Sequence, residues 1–509
     1  MQCIPYLFIP RTATYPLNIY MGIIKKLASQ TAIYGLSSIF GRFLNYLLVP
    51  LYTYYFSAAE YGVVAEFYAY AGFFSVVLLF GFDTGYFRFR DKENTEKDRA
   101  YATALWFILL INLGFFALIL WINPWLSNLL SYSDHPEYVL CFSIILILDA
   151  ISSIPFARLR AEDKAFSFAG IKIAEILITV GLSLFFIKYC PKLYADKTYP
   201  LITEFYDPAL GVGYIFIANL IASVFKFFLL IPLFLGLGWG FDKKLFSRML
   251  RYSLPMVVIG FAGIINEMLD RILLKQLLPY DLSTNMKMLG IYGACYKLSI
   301  LMSLFIQAFR FAAEPFFFSY SGNTDARLIY AKVLRYFVVF CVFIFLLVTL
   351  FIDIFKYFVG PEFRSGLDVV PILLLANLFL GIYVNLSIWY KLTDRTLIGA
   401  GVSLCAAALT IYLNIIWIPV YGYTGSAWAH LIGYAGMALV SYVLGQIYFP
   451  VKYDVLRILA YIGLGLALYQ ANLHLQTMIF WPPGILAGAL LVLYLLIAGL
   501  FEGRQVRTS

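Results

Sequence analysis

The chain has 509 residues, of which 62% are apolar, 19% aromatic and only 13% charged, and its formal net charge is +9. Soluble domains average about 45–50% apolar and about 25% charged residues, so a water-soluble enzyme is excluded, as is a disordered or fibrous protein. A bilayer accommodates the excess, because each spanning helix takes roughly 20 mostly apolar residues and about 14 such helices use up most of the supply.

Residues 1–20 contain three prolines and one arginine, Arg11, and match neither a signal peptide nor a transit peptide. Met21-Gly-Ile-Ile-Lys-Lys reads as a fresh start before an apolar run, so the native chain is expected to begin at Met21. Apolar stretches then predict helices at 28–56, 61–82, 100–122, 138–157, 166–188, 210–235, 252–277, 288–312, 334–355, 367–390, 396–418, 424–449, 454–472 and 478–500. The expected fold is all-α: a polytopic membrane protein of about 14 transmembrane helices. The connections are expected to be short loops, the longest near 83–99 and 189–209, with no room for a soluble catalytic domain.

Basic residues orient the chain. With a cytoplasmic N-terminus, inner segments hold 24 of the 37 Lys and Arg, outer segments hold 7, and the rest fall within helices. Both termini are therefore expected inside. The positive charge then needs no nucleic-acid partner.

Two fragment pairs hint at duplication. Leu44-Asn45-Tyr46-Leu47-Leu48 resembles Leu269-Asp270-Arg271-Ile272-Leu273, and Tyr61-Gly62-Val63-Val64-Ala65-Glu66 resembles Tyr292-Gly293-Ala294-Cys295-Tyr296-Lys297. Their phase fits two parallel six-helix lobes, a transporter architecture with the substrate path between the halves. The expected division is an extension at 1–20, an N-lobe of helices 1–6 at 21–240, a C-lobe of helices 7–12 at 241–450, and helices 13–14 with a tail at 451–509.

Ionisable residues inside the membrane are costly and usually face the bundle interior or a watery cavity. The cations in or at the edge of helices are Arg42, Lys172, Lys226, Arg271, Lys297 and Arg310. The first five are candidates for an anion-binding cavity, because Arg grips phosphate through paired hydrogen bonds and Lys adds a point charge. Arg42 stands out, with no acid within four residues. Asp149, Glu175, Glu267, Asp270 and Glu66 are candidates for balancing these charges or for binding a coupling H+ or Na+. Lys172 with Glu175, Glu267 with Arg271, and Arg310 with Glu314 sit at spacings that share one helical face. Asp83 is read as a helix-end residue.

Other features point to packing. Six scattered cysteines form no close pair and three histidines, His135, His430 and His474, share no metal-binding spacing, so neither a metal nor a cofactor is expected. Tyr52, Tyr54 and Tyr55 read as an aromatic belt, while Tyr68, Tyr70, Tyr292 and Tyr296 could stack on sugar rings. Pro50, Pro155, Pro255 and Pro371 lie in or near spans, where they either kink helices and allow bending during transport or are passive.

Three stretches carry a resemblance to a known family. The opening from Met21 to Ser38, the segment Phe56-Ser-Ala-Ala-Glu-Tyr-Gly-Val-Val, and the late run Tyr421-Gly-Tyr-Thr-Gly-Ser-Ala-Trp-Ala-His-Leu-Ile-Gly-Tyr are similar to bacterial polysaccharide flippases of the multidrug/oligosaccharidyl-lipid/polysaccharide exporter superfamily. The resemblance implies two lobes around a central, often cationic cavity that alternates between inward-open and outward-open states. It implies carriage of undecaprenyl-pyrophosphate-linked oligosaccharide across the bacterial inner membrane for O-antigen, capsule or exopolysaccharide assembly. It also implies two extra C-terminal helices, which in peptidoglycan-precursor flippases accompany a lipid-tail groove.

The leading reading is a flippase, not an enzyme, in which Arg42, Arg271 and Lys297 meet the pyrophosphate. Its expected partners are the lipid-linked oligosaccharide and membrane lipid, with polysaccharide polymerase and glycosyltransferases nearby, and the protein is expected to be a monomer. A cation-coupled multidrug exporter of the same superfamily is the alternative. A polysaccharide polymerase or ligase is a third reading, disfavoured because such enzymes need a large external loop.

Overall fold

The computed structural model describes residues 39, 41–90, 97–197, 200–235, 240–320, 325–478 and 482–506. The expected start at Met21, the 21–38 stretch, Arg11, Lys25, Lys26, Lys92 and Arg507 lie outside the described residues. Among those described, the backbone is helical and holds no strand. Eleven helices are long and apolar enough to cross a membrane.

The elements follow the hydropathy in chain order. They are α1 (41–55), α2 (Ala58–Leu79), α3 (Phe82–Arg90), α4 (Lys97–Leu129), α5 (Pro136–Ala161), α6 (Ala165–Leu184), α7 (Cys190–Ala195), α8 (Pro200–Phe205) and α9 (Gly213–Leu230). Then come α10 (Lys243–Leu277), α11 (Leu282–Tyr320), α12 (Ala326–Leu350), α13 (Ile352–Phe355), α14 (Val369–Leu386), α15 (Ile388–Leu392), α16 (Thr396–Tyr448), α17 (Val455–Met478) and α18 (Pro483–Val506).

Local chemistry sets several of the ends. Ser57 and Glu60 form a capping box before α2: the Ser57 backbone N–H donates to Glu60 Oε2 at 2.8 Å, and the Glu60 N–H donates to Ser57 Oγ at 3.3 Å. Asp242 caps α10, accepting from the N–H groups of Lys244 at 2.8 Å and Leu245 at 3.0 Å. Asp281 does the same for α11 through the Thr284 N–H at 3.1 Å. α2 stops where Phe80 and Gly81 both take positive φ.

α16 runs for 53 residues and breaks at Gly422, where φ is +61°. At about 1.5 Å per residue it is far longer than a hydrocarbon core of about 30 Å. It therefore supplies two spans, matching the expected helices 11 and 12. Pro419, just before the break, lacks the N–H that would continue the ladder. α10 is 35 residues long, with eight charged side chains placed mostly towards its two ends and an apolar stretch between them. With α1, α10 and the two halves of α16 included, the set is consistent with fourteen spans.

Two expected loops prove to be structured. The stretch from 83 contains α3, whose Phe82 and Tyr86 are buried against Tyr101 and Ile108 of α4 and Leu245 and Met249 of α10. Its arginines reach polar or aromatic surfaces, Arg88 lying 4.5 Å from the Tyr252 ring centre and Arg90 donating to the Ala161 carbonyl. Asp83 starts this helix rather than ending one. The 189–209 stretch holds α7 and α8, preceded by a π-helical turn at Phe185–Tyr189. Here Tyr206 stacks on Tyr214 at 4.7 Å, and the Tyr214 hydroxyl accepts from the Asp207 N–H at 2.7 Å. In both places burial of aromatic rings overrides a local sequence rich in charged and turn-forming residues.

The helices pack as two compact units. One takes in the described residues to Phe56 together with Glu66–Ile264, and the other takes in Ser57–Ala65 with the described residues from Ile265 onward. The core of the first is the α3–α4–α5–α10 cluster just described. The second is built on α11, α12, α14 and α16, with α17 and α18 packed on α12. There the first turns of α2 cross α11 so closely that a Cβ on Gly290 would lie 1.8 Å from the Ala58 carbonyl oxygen. One on Gly62 would lie 2.2 Å from the Met286 oxygen. Glycine is required at both positions.

Large apolar side chains remain exposed, Trp121 at 81% and Leu456 at 81% among them. Rings and leucines on that scale belong against lipid. Tyr54 and Tyr55 are exposed as a belt requires, but Tyr52 is buried, with its hydroxyl 3.1 Å from Ser183 Oγ. Pro155 and Pro255 lie inside continuous helices and Pro371 sits in the first turn of α14.

Candidate functional site

In the first unit, α1, α2, α5, α6 and α9 enclose a cavity of about 380 Å³. Its wall includes Arg42, Asn45, Tyr68, Asp149, Lys172 and Glu175. Helical spacing places these groups: Lys172 and Glu175 are three apart on α6, and Asn219, Ser223 and Lys226 form one stripe on α9. Gly41 lets α1 approach α6, since a Cβ there would come within 2.7 Å of Ile176 Cδ1.

The charges interlock. Lys226, whose side chain is 2% exposed, donates to Glu175 Oε1 at 2.5 Å and to Asp149 Oδ1. Ser223 Oγ donates to the same Asp149 oxygen at 2.9 Å. Lys172 pairs with the other Glu175 oxygen at 3.1 Å. Lys226 thus lies beneath the two acids and does not line the cavity. Both acids are matched by lysines, while exposed Arg42 makes no ion pair among the described residues. Three cations against two acids leave one positive charge over, and Arg42 carries it.

The second unit holds a different cluster. Asn266 and Asp270 lie four apart on α10, Tyr292 and Tyr296 four apart on α11, and His430 and Tyr434 four apart on α16. Each pair presents one helical face. Asp270 is fully buried: Oδ1 accepts from Arg271 Nη1 at 3.1 Å and from the Arg271 backbone N–H at 2.9 Å, and Oδ2 accepts from the Tyr292 hydroxyl at 2.6 Å. The Arg271 guanidinium also donates to the Glu267 main-chain oxygen at 2.5 Å and lies 4.3 Å from the Tyr296 ring centre. Of the two acids the sequence places near it, Glu267 four positions away and Asp270 alongside, its ion-pair partner is Asp270. Glu267 points outward, whereas the guanidinium follows the buried aromatic face. Lys297, half-buried, has no ion pair among the described residues.

The remaining candidates are dispersed. Glu66 is fully buried in the first unit, where it accepts from the hydroxyls of Tyr70 at 2.9 Å and Tyr132. It does not line the cavity. Of the tyrosines proposed for sugar stacking, Tyr68 lines the cavity, while Tyr70, Tyr292 and Tyr296 serve the polar clusters. Glu314 takes Lys391 as its near partner, with Arg310 at 3.8 Å. Arg335, expected in a solvent-facing inner segment, is instead buried and pairs with Glu502 at 3.0 Å, tying α18 to α12. Among the described residues no group of three or more His, Cys, Asp and Glu could hold a metal.

His430 was read only as a poor metal ligand. It is 1% exposed and sits 3.6 Å from Asp270 Oδ2. One sequence signal was available: an ionisable side chain in the middle of a long apolar run. Asn45, Asn219 and Tyr132 carried no such signal.

The chain matches the family model described as "Polysaccharide biosynthesis protein" over residues 27–321. No curated protein sequence matches it. Among solved structures, its fold is similar to that of the lipid II flippase MurJ in an inward closed conformation, with TM-score 0.70 and 17% identity over 92% of this chain and 99% of that one. It is also similar to a multidrug resistance MATE family transporter of the MOP superfamily in an inward-facing conformation, with TM-score 0.61 and 13% identity over 79% of this chain and 93% of that one. An outward-facing MATE transporter gives 0.54 at 14% identity, over 83% of this chain and 94% of that one. At these identities the likeness is one of fold.

Proposed function

Because the chain belongs to the polysaccharide biosynthesis protein family, we propose that it moves a polyprenyl-pyrophosphate-linked oligosaccharide across the membrane by alternating access. The cargo on this reading is the undecaprenyl-linked repeat of O-antigen, capsule or exopolysaccharide, carried from the cytoplasmic to the outer leaflet of a bacterial inner membrane. Both termini lie in the cytoplasm, and the cycle is coupled to H+ or Na+. Polymerase and glycosyltransferases act after and before it. The protein is a transporter, not an enzyme.

One observation carries the reading: the exposed guanidinium of Arg42, which makes no ion pair among the described residues, in a cavity whose acids already have lysine partners. A cation with open donors in a partly enclosed cavity favours a phosphate-type anion. Asn45, Asn219 and Tyr68 on the same wall offer amide and hydroxyl contacts for sugar. Lys297 adds positive charge in the second unit, where Asp270 balances Arg271.

The test is complementation. A strain lacking the gene should accumulate lipid-linked oligosaccharide on the cytoplasmic face and lose surface polysaccharide, and Arg42→Ala should fail to restore it at normal protein level. Full restoration by both Arg42→Ala and Arg271→Ala would overturn the assignment. The MATE-like fold supports a second reading, cation-coupled multidrug export through a mainly acidic cavity. It predicts drug resistance on overexpression, and the surplus positive charge of the cavity opposes it.

A further inference from the structure

The second unit contains a buried group that the proposed transport reading leaves unused. Among the described residues, neither ring nitrogen of His430 has a hydrogen-bond partner, although the residue is 1% exposed. A neutral imidazole carries one N–H donor and one acceptor, and buried polar groups are nearly always satisfied. The acceptor nearest Nε2 is Asp270 Oδ2, at 3.6 Å, just outside bonding range.

Every charged or titratable group around the ring is identifiable. From α10 come Asp270 and Arg271, with Glu267 one turn from Arg271 and facing outward. From α11 come Tyr296, edge-on at 6.1 Å, and Tyr292, which donates to the same Asp270 oxygen, with Lys297 next in sequence. From α16 itself comes Tyr434 at 5.6 Å. α14, packed along α16, carries no charged side chain. The ring therefore faces one acid that is already shared by one cation and one hydroxyl.

We propose that His430 is a proton site linked to anion binding at Arg271: a protonated imidazole takes Asp270 as its counter-ion and releases the Arg271 guanidinium to hold a phosphate-type anion. The inference rests on the anionic-cargo reading above. The step is transfer of one proton from hydronium to the free ring nitrogen: an O–H bond of hydronium breaks, an N–H bond forms and water is left. Before it, Asp270 and Arg271 cancel. After it, the cluster has one positive charge in excess, and an anion restores neutrality. Proton and anion then bind cooperatively, and by linkage each strengthens the other to the same degree. Asp270 Oδ2, hydrogen-bonded to Tyr292 and facing His430, is the switch point.

The chain has three histidines, so ring-nitrogen resonances of 15N-histidine-labelled full-length protein in lipid nanodiscs can be assigned with His135→Gln, His430→Gln and His474→Gln. Sulfate serves as the anion probe, because it does not titrate between about pH 5 and 8, where imidazole does. The His430 signals should titrate in that window, and saturating sulfate should raise the proton affinity about fivefold or more. Arg271→Gln should abolish the sulfate effect, and Asp270→Asn should weaken protonation. His430 signals that stay constant across the window, or that titrate without responding to sulfate, would overturn the proposal. The titration is read on wild-type protein, so it survives a variant that fails to fold. Translocation of a polyprenyl pyrophosphate in vesicles is scored separately: loss there in wild type refutes the transport reading, whereas a silent His430 refutes the proton site alone.

Discussion

The two units treat buried charge in opposite ways. In the first, a lysine lies at the bottom: Lys226 is 2% exposed beneath Asp149 at 48% and Glu175 at 15%. In the second, an acid lies at the bottom: Asp270 is 0% exposed beneath Arg271 at 10%. The first cluster draws its members from three helices around a cavity, while the second has acid and base as neighbours on α10, roofed by tyrosines. Whichever charge is innermost is fixed by its partners, and the groups further out are those available to a ligand. That is why Arg42, rather than the better-buried Lys226, is the cation of the first unit that we propose meets a ligand.

This contrast can be broken by experiment. Lys226→Met would leave two acids facing each other without their shared cation, a loss expected at about 3–5 kcal/mol. Thermal unfolding of detergent-solubilised protein should show it, and adding Asp149→Asn should recover part of the loss. Gly290→Ala comes next. Its methyl would meet the Ala58 carbonyl oxygen and displace α11, which carries the Tyr292–Tyr296 roof. Overpacking of this sort costs about 1–3 kcal/mol, and the thermal midpoint should fall without any change of charge.

Asp242, at the aqueous end of the same helix that buries Asp270, gives a smaller effect. Backbone N–H groups, Leu245 first and then Lys244, hold its carboxyl below the usual carboxylate range. A lowered folded value means that the cap stabilises above the unfolded pKa of about 3.9 and that the benefit is lost as pH falls through the folded value. Asp242→Ala should cost roughly 0.5–1 kcal/mol at neutral pH, and nothing once the carboxyl is protonated. Arg42→Ala should be the mildest, within about 0.5 kcal/mol, because the residue is exposed and unpaired. A large loss of stability in that variant would mean that Arg42 holds the cavity together rather than serving a ligand.

The spans were legible wherever apolar runs were long and uninterrupted, as in α5, α12 and α14. They were not legible at α3, α7 and α8, whose short helices depend on rings donated from elsewhere, such as Tyr101 against Tyr86. The break in α16 at Gly422 falls between the expected helices at 396–418 and 424–449. The Lys172–Glu175 pair was readable from its spacing, and Arg42 from its lack of any local acid. Lys226 and Asp149 are 77 positions apart, and Asp270 and His430 are 160 apart, so no periodic pattern links either pair.

By itself, then, the sequence determined that this is an all-helical membrane chain with a few charges inside it. Hydrophobic burial in a bilayer is a local property, set by the length and polarity of one segment. Which charges neutralise each other was decided only by tertiary structure. Ion pairing depends on distances of a few ångströms between helices that the chain order does not bring together. The surplus cation at Arg42 and the unsatisfied imidazole at His430 became visible only when every other partner had been placed.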